Sequence, residues 1–234
     1  MKASASKDRP RLRRLTGKIN MHEIAIIGAS GFGKEVAYHI NSINKIKQTY
    51  QIVGFIDDNA DLLGSEIIYG LKVIGNVDDL TSGRLKTSNL CIAIANNPVR
   101  LAVYDRLKDL DFVFPNIIHA DKQYDESITF GFGNIIGEEV TFTCAINMGS
   151  FNIFTGTCGT GHDVDMGDFN LFGPRSLIAG GVKMGDGNTF HMQSAVIQNL
   201  KIGNWNTLNL YSCLFKSIKD GNVYFGVPAM KQRF

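Results

Sequence analysis

Three consecutive stretches of eighteen residues decide the fold: MGSFNIFTGTCGTGHDVD (148–165), MGDFNLFGPRSLIAGGVK (166–183) and MGDGNTFHMQSAVIQNLK (184–201). The same pattern runs outward from them, back to Phe130 and on to about Ile218. Every sixth residue is Phe130, Ile136, Phe142, Met148, Phe154, Thr160, Met166, Phe172, Ile178, Met184, Phe190, Val196, Ile202, Leu208 and Leu214, and all but Thr160 are apolar. Stepping by eighteen gives a glycine column (Gly131, Gly149, Gly167, Gly185, Gly203) and an asparagine column (Asn134, Asn152, Asn170, Asn188, Asn206). A third column, Val140, Cys158, Ser176, Ser194 and Ser212, is small or β-branched throughout.

A fixed repeat implies stacked identical units. A helix needs a period of 3.6 and a flat strand a period of 2, and a six-residue period fits neither. It fits a coil with three flat sides, with one short strand and one corner per six residues. The sixth-residue apolar series then points inward. The Gly and Asn columns are expected at corners, where positive φ or a side chain that binds local backbone is needed. Five coils at ~4.8 Å per rung make a prism roughly 24 Å tall. A β-sandwich, the other arrangement of many short strands, does not hold one phase for so many steps.

Upstream the pattern changes. Glu23 to Ile27 reads as a strand, GASGFG (28–33) as a glycine loop, and Lys34 to about Asn44 as a helix with Val36, Ile40 and Ile43 on one face. Strand, glycine loop and helix presents helix N-terminal amides to an anion. The same glycines would equally serve a tight strand–helix turn, and the GxxGxG spacing is not the dinucleotide fingerprint. Gln51 to Ile56 reads as a second strand ending in Asp57 and Asp58. An acid there is placed for a ribose hydroxyl, or for a turn. Ile67 to Ile74 reads as a small excursion, Leu90 to Ala95 as a third strand, Val99 to Leu110 as an amphipathic helix behind Pro98, and Phe112 to Ile118 as a fourth strand. Alternating strands and helices predict a Rossmann-like parallel α/β sheet. Its ligand would lie at the carboxyl ends of the strands.

The 234 residues suffice for two modest domains. The expected division is a leader (1–20), an acceptor-binding domain (21–118), a coil domain (119–219) and a closing tail (220–234). The leader carries seven Lys or Arg and one Asp, net +6; against +2 for the whole chain the remainder sums to −4. It lacks an apolar core, so it is no secretory signal. An added leader ahead of a natural start at Met21 is expected, over a transit peptide or a tail for nucleic acid or membrane. The mildly acidic remainder offers no basic stripe, so no nucleic-acid partner is expected. No apolar run reaches the ~18 residues of a membrane span. Cys91, Cys144, Cys158 and Cys213 form no CxxC pair and read as small core residues in a reducing, cytoplasmic setting.

The segments GASGFGKEV, GFIDD, IAIANNPVR and FPNIIH, in this order before the sixfold repeat, resemble the hexapeptide-repeat sugar O- and N-acyltransferases of the sialic acid O-acetyltransferase and bacillosamine N-acetyltransferase type. The resemblance covers nearly everything after Met21. It implies a left-handed parallel β-helix, a C₃ homotrimer, acetyl-CoA as co-substrate and a sugar acceptor bound by the N-terminal domain. The acceptor contacts it implies are Ser30, Gly31, Phe32, Asp57, Asp58 and the backbone near Ala95. The family often has His where this chain has Phe32.

Acyl transfer needs a base for the nucleophile's proton and a donor for the developing oxyanion. His is the natural base near neutral pH. The repeat contains His162 and His191. His162 follows Thr160, the one break in the apolar series, and rule-breaking in a regular sequence is expected at functional sites. A corner histidine bonded to the next coil is the structural alternative. Gly180 shares the phase of His162 one coil on and bares a backbone N–H. His162-Asp163 followed by Met166-Gly167 resembles the family's His-Asp/Glu-x-x-Ile-Gly signature. That implies His162 as base, Asp163 as its tuning carboxylate and Gly180 as donor to the thioester carbonyl. Adjacent strand residues face opposite ways, so Asp163 can assist His162 only at a corner. Met192 and Leu210 share a phase on an outward rim. The resemblance assigns that rim to the pantetheine arm; interface packing is the plain alternative. Leu171 occupies a cofactor-contact position where the family usually has a second His. No metal is expected: a zinc hydratase, the rival for this architecture, needs three imidazoles on one ion, and His162 and His191 fall on different faces. His119, Asp121 and Tyr124 read as linker packing, and Lys231 and Arg233 as tail residues or CoA-phosphate contacts.

The expected activity is transfer of an acetyl group from acetyl-CoA to an amino or hydroxyl group of a nucleotide-linked sugar. The alternatives are O-acetylation of a free sugar such as sialic acid, a longer acyl-CoA, and a non-catalytic nucleotide-sugar-binding or assembly protein.

Overall fold

The computed structural model describes residues 21–119, 122 and 124–232; the leader, Asp121 and Arg233 lie outside the described residues. The N-terminal part contains β1 (His22–Ile27), α1 (Gly31–Ile46), β2 (Tyr50–Ile56), β3 (Glu66–Ile68), β4 (Leu71–Gly75), α2 (Val77–Thr81), β5 (Asn89–Ile92) and α3 (Asn97–Leu107). The sheet order is β3-β4-β2-β1-β5, parallel except for the β3–β4 hairpin. Strand β1 is central and both its neighbours are parallel, so its apolar run Ile24–Ile27 is fully covered. Helix α1 buries Val36, Ala37, Ile40 and Ile43 along one stripe, as the 3.6-residue period requires. Helix α2, not foreseen from the sequence, is short and held by a capping box between Asn76 and Asp79.

The fourth strand of this sheet does not form. Val113 makes one isolated bridge to Asn89, and Pro115 interrupts the segment. Ile117–Ile118 instead pairs with Ile135–Ile136 as the first rung of the coil.

From there the chain is a left-handed parallel β-helix of two-residue strands. The first face stacks Thr129–Phe130, Asn147–Met148, Asp165–Met166, Lys183–Met184 and Lys201–Ile202. The second runs from Ile117–Ile118 through Ile135–Ile136, Ile153–Phe154, Leu171–Phe172, Thr189–Phe190 and Thr207–Leu208 to Val223–Phe225. The third stacks Thr141–Phe142, Gly159–Thr160, Leu177–Ile178, Ala195–Val196 and Cys213–Leu214. From Thr129 through Leu214, each partner lies eighteen residues away, so the sequence period is the structural period. The apolar series fills the interior, and Phe154, Phe172 and Phe190 stack nearly parallel at 4.3 and 5.1 Å.

Of the two corner roles expected for these columns, the asparagines take that of a side chain bound to backbone, and the glycines take neither. The asparagines do not take positive φ. They are buried, and each backbone amide from Asn152 to Asn206 donates to the side-chain oxygen of the asparagine one coil earlier, at 2.8–3.0 Å. The glycine column is needed for close approach, not for φ: a Cβ at Gly149, Gly167, Gly185 or Gly203 would strike Asp168, Asp186, Asn204 or Asp220. The left-handed positions lie elsewhere. At the corner between first and second faces they are Gly133, Phe151, Phe169, Gly187 and Trp205. Positive φ costs a non-glycine residue roughly 1–2 kcal/mol. Phe151 and Phe169 offset it by burying their rings against α3, where Tyr104 packs at 4.5 and 5.9 Å. That aromatic seam joins the N-terminal sheet to the coil.

Cys144 is exposed, Cys213 half-buried, and only Cys91 and Cys158 are buried. The expectation of four core thiols fails for Cys144 because its phase falls on a corner.

Candidate functional site

The corner between the third and first faces carries Ala145, Asp163, Gly181 and Asn199 in left-handed conformation. His162 and Asp163 therefore sit at a corner, the condition on which their cooperation depends. Asp163 Oδ2 lies 2.7 Å from His162 Nδ1. With the carboxylate ionised, Nδ1 carries the proton and donates, which leaves the lone pair on Nε2. Both side chains are exposed.

Two backbone bonds fix this corner between its neighbours: Asp163 N donates to Cys144 O at 3.2 Å and Gly181 N to His162 O at 2.8 Å. Lys183 Nζ adds a bond to Asp163 O at 3.2 Å. The imidazole lies over Gly180. A Cβ there would stand 2.7 Å from His162 Cε1 and 2.8 Å from Nε2, so only glycine leaves the ring in place. The Gly180 N–H donates to no backbone carbonyl among the described residues. A nitrogen lone pair and a free amide donor thus meet at one corner.

Thr160 has a different place from the one its break in the pattern suggested. Its side chain is buried in the prism, and its Oγ1 has no partner. The break lies on the same coil as His162, and Gly180 on the next coil is what leaves room for the imidazole. Beside Gly180, an apolar groove on the third face is lined by Leu177, Ala179, Ala195 and Ile197. Met192 and Leu210 are exposed at the far edge of that face, next to Gln193 and Tyr211 in left-handed conformation. Leu171 is not with them. It sits on the second face and packs on the cluster of Ile135, Ile153 and α1. Phe32 packs on the same cluster, so the two positions at which this chain departs from the family pattern share one apolar seam.

The N-terminal cleft, about 230 Å³, gathers Gly28, Ser30, Asp57, Asp58, Ile94 and Val99. Gly28 is left-handed (φ 107°), and a Cβ there would meet Ala93 O at 2.7 Å. A Cβ at Gly33 would strike Gly28 O. Those two glycines serve the tight turn. Gly31 has nothing within 4 Å of an added Cβ and remains open. Asp57 accepts from Ala29 N at 2.8 Å and Asn59 N at 2.9 Å. Asp58 accepts from Val77 N at 3.0 Å and pairs with Arg106 at 2.5 Å. Partial burial pushes the Asp58 carboxyl up, but the Arg106 hydrogen bond, the Val77 amide and the Arg106 charge outweigh it and hold it below its ordinary value. Ala95 lies behind the cleft, its carbonyl accepting from Arg100 at 3.2 Å.

Arg100 escaped the sequence reading, as did the bonds by which Asn97 reaches the coil. Both residues lie with Val103 and Leu107 on the buried stripe of α3. An arginine in phase with that stripe was the available signal. His191 is exposed and lies across the third face from His162. Among the described residues no group of three or more His, Cys, Asp or Glu could hold a metal ion. His119 is buried and Tyr124 packs on Phe130 and Phe142, as linker packing requires. No described helix is long and apolar enough to cross a membrane.

Residues 23–107 match the PglD N-terminal domain. No curated protein sequence matches the chain. Solved structures with the same fold include the acetyltransferase domain of PglB from Neisseria gonorrhoeae in complex with acetyl coenzyme A (TM-score 0.80, 23% identity, 91% of this chain and 100% of that one). PerB from Caulobacter crescentus, in complex with CoA and GDP-perosamine, aligns with TM-score 0.81 and 23% identity over 92% of this chain and 99% of that one. WeeI from Acinetobacter baumannii aligns with TM-score 0.74 and 23% identity over 91% and 100%. At this identity the likeness establishes the shared architecture: a PglD-type sheet domain followed by the coil.

Proposed function

We propose that this chain transfers an acetyl group from acetyl-CoA to an amino group of a nucleotide-linked sugar. The observation that carries the reading is the His162 corner: Nδ1 engaged by Asp163 at 2.7 Å, Nε2 unblocked above Gly180, and an apolar groove alongside. The alignment with structures holding acetyl coenzyme A, or CoA with GDP-perosamine, supports the choice of donor and acceptor.

In this reading the neutral acceptor amine attacks the thioester carbonyl while His162 Nε2 takes its proton. The carbonyl oxygen gathers negative charge and accepts from Gly180 N–H. The tetrahedral intermediate collapses by breaking the C–S bond. The imidazolium returns its proton to the departing CoA sulfur, so amide and CoA thiol leave and the base is restored. Asp163 holds the tautomer and steadies the imidazolium. The thioester is already activated, and the groove beside Gly180, with Met192 and Leu210 at its far edge, suits a pantetheine arm. Leu171, on the N-terminal seam, is assigned no cofactor contact.

The acceptor is assigned to the 21–118 part. The cleft pairs aliphatic walls (Ile56, Val77, Val99) with Ser30 and Asp57, just ahead of the first turn of α1. That combination suits a base, a diphosphate at a helix N-terminus and a ribose. The coil (119–219) and closing turn (220–234) carry the donor. A homotrimer joined through the exposed apolar third face, working in the cytoplasm, completes the proposal.

The test is release of CoA thiol on adding UDP-, GDP- or CMP-linked amino sugars to protein and acetyl-CoA, with mass spectrometry of the sugar. An acetylated sugar nucleotide is expected. Binding without thiol release would favour a non-catalytic binder, and acetylation of free sialic acid alone would move the acceptor to a free sugar.

A further inference from the structure

Arg100 is 1% exposed. A buried guanidinium calls for a carboxylate or a dense set of acceptors. Among the described residues no carboxylate pairs with it. It donates instead to Ile94 O (2.6 Å), Ala95 O (3.2 Å), Asn97 Oδ1 (2.9 Å) and Phe169 O (2.8 Å). Two of these acceptors belong to the loop after β5 and one to a corner of the coil. Asn97, 2% exposed, extends the connection: its Nδ2 donates to Gly187 O (2.9 Å), Asn188 O (3.1 Å) and Thr189 Oγ1 (3.0 Å) on the next coil. The same loop and helix have a second face. Ile94, Val99 and Val103 line the N-terminal cleft. One short segment is therefore cleft wall on one side and a polar bolt into two coils on the other.

We infer that Arg100, with Asn97, is a positioning residue that fixes the acceptor cleft against the coil, so that a nucleotide held at one end presents its sugar at a set distance from the reacting end. The inference rests on the acetyl-transfer reading above. Aromatic packing of Tyr104 on Phe151 and Phe169 holds the two parts together without fixing their angle, because ring contacts tolerate sliding. Directional bonds from a planar fork do fix it. Displacement of about 1 Å between a bound substrate and its catalytic groups costs on the order of a hundredfold in rate, so this bolt bears on turnover although it touches no reacting atom.

Wild type, Arg100→Lys and Arg100→Met are assayed with acetyl-CoA and, as acceptor, GDP-perosamine or the UDP-linked amino sugar that wild type acetylates. Assembled mass and circular dichroism are measured in parallel. For Arg100→Met we expect acceptor KM to rise about tenfold or more, with kcat also reduced, and acetyl-CoA KM unchanged. Arg100→Lys should fall between. A merely structural role would lower the active fraction, reducing kcat with both KM values untouched, and that result would overturn the inference. Equal change in both KM values would overturn it too. If Arg100→Met does not assemble, Asn97→Ala carries the same expected split. Failure of wild type to acetylate any sugar nucleotide is a separate result: it removes the functional reading and this inference with it.

Discussion

Asn170→Ala tests the asparagine ladder that sets the coil's register. Asn170 is fully buried, and its carboxamide accepts from Asn188 N (2.8 Å) and Asn188 Nδ2 (3.1 Å) and donates to Asn152 Oδ1 (3.0 Å) and Gly167 O (3.3 Å). Most of these partners keep another bond. Asn152 Oδ1 still receives the Asn170 amide (2.9 Å), and Gly167 O still receives Asn152 Nδ2 (3.0 Å). Asn188 Nδ2 keeps Gly185 O (3.2 Å) and Gly203 O (2.9 Å). The Asn188 backbone N–H alone is orphaned. A buried unsatisfied amide costs about 1–3 kcal/mol, and the lost secondary bonds add about 1 kcal/mol. The expected destabilisation is about 3 kcal/mol, or roughly 6–12 °C in Tm for a chain of this size. The control is Asn147→Ala on the first face. Asn147 accepts from Thr129 (2.9 Å) and donates to Asp165 (2.7 Å), but it is exposed. Its loss should cost less than about 0.5 kcal/mol. Calorimetric melts at one protein concentration compare the two, because any self-association would make Tm concentration-dependent. Equal shifts for both variants would refute the argument that burial, not hydrogen-bond count, gives the ladder its weight.

Gly167→Ala should destabilise by about 1–3 kcal/mol, since its Cβ displaces the Asp186 carboxylate that caps Asp168 N at 2.8 Å; Gly31→Ala, with open space around it, should melt within a degree or so of wild type. Asp58 is held below its ordinary 3.8 by Arg106 and Val77 against the opposing effect of burial. Its folded form binds fewer protons than its unfolded form at acid pH, so its stabilisation is complete above that value and is lost as pH falls through the depressed one. Arg106→Met should therefore lose stability at neutral pH and show a shallower acid limb, read by urea unfolding at about pH 7 and pH 3. Burial pushes the Cys91 and Cys158 thiols up to about 12; iodoacetamide with peptide mapping should modify exposed Cys144 first and reach those two only on unfolding.

The coil was legible because its period is covalent: each rung repeats the last, and an eighteen-residue step in sequence is one turn in space. What the columns do was less legible. Gly and Asn were assigned to corners that need positive φ or a side chain binding backbone; the asparagines do bind backbone there, but Phe151, Phe169 and Trp205 hold the positive φ values. Propensity ranks residues by local cost and cannot show that packing across the seam to α3 offsets it. The Phe112–Ile118 strand failed for a related reason: an apolar run does not say which partner it pairs with, and Ile117–Ile118 joined the coil. At the site, His162, Asp163 and Gly180 come together because phase alone places them. The surroundings of Leu171 and Arg100 were not legible, since they are set by docking of the sheet on the coil, which no sequence period encodes.

The proposed mechanism turns on removal of the acceptor's proton by His162. The direct measurement is the steady-state rate of CoA release for His162→Gln against wild type, with acetyl-CoA and the acetylated sugar nucleotide, on protein of unchanged mass and melting temperature. A fall in kcat of about 10²–10⁴-fold is expected, with acetyl-CoA KM retained. A folded, assembled His162→Gln that turns over within about threefold of wild type would contradict the mechanism.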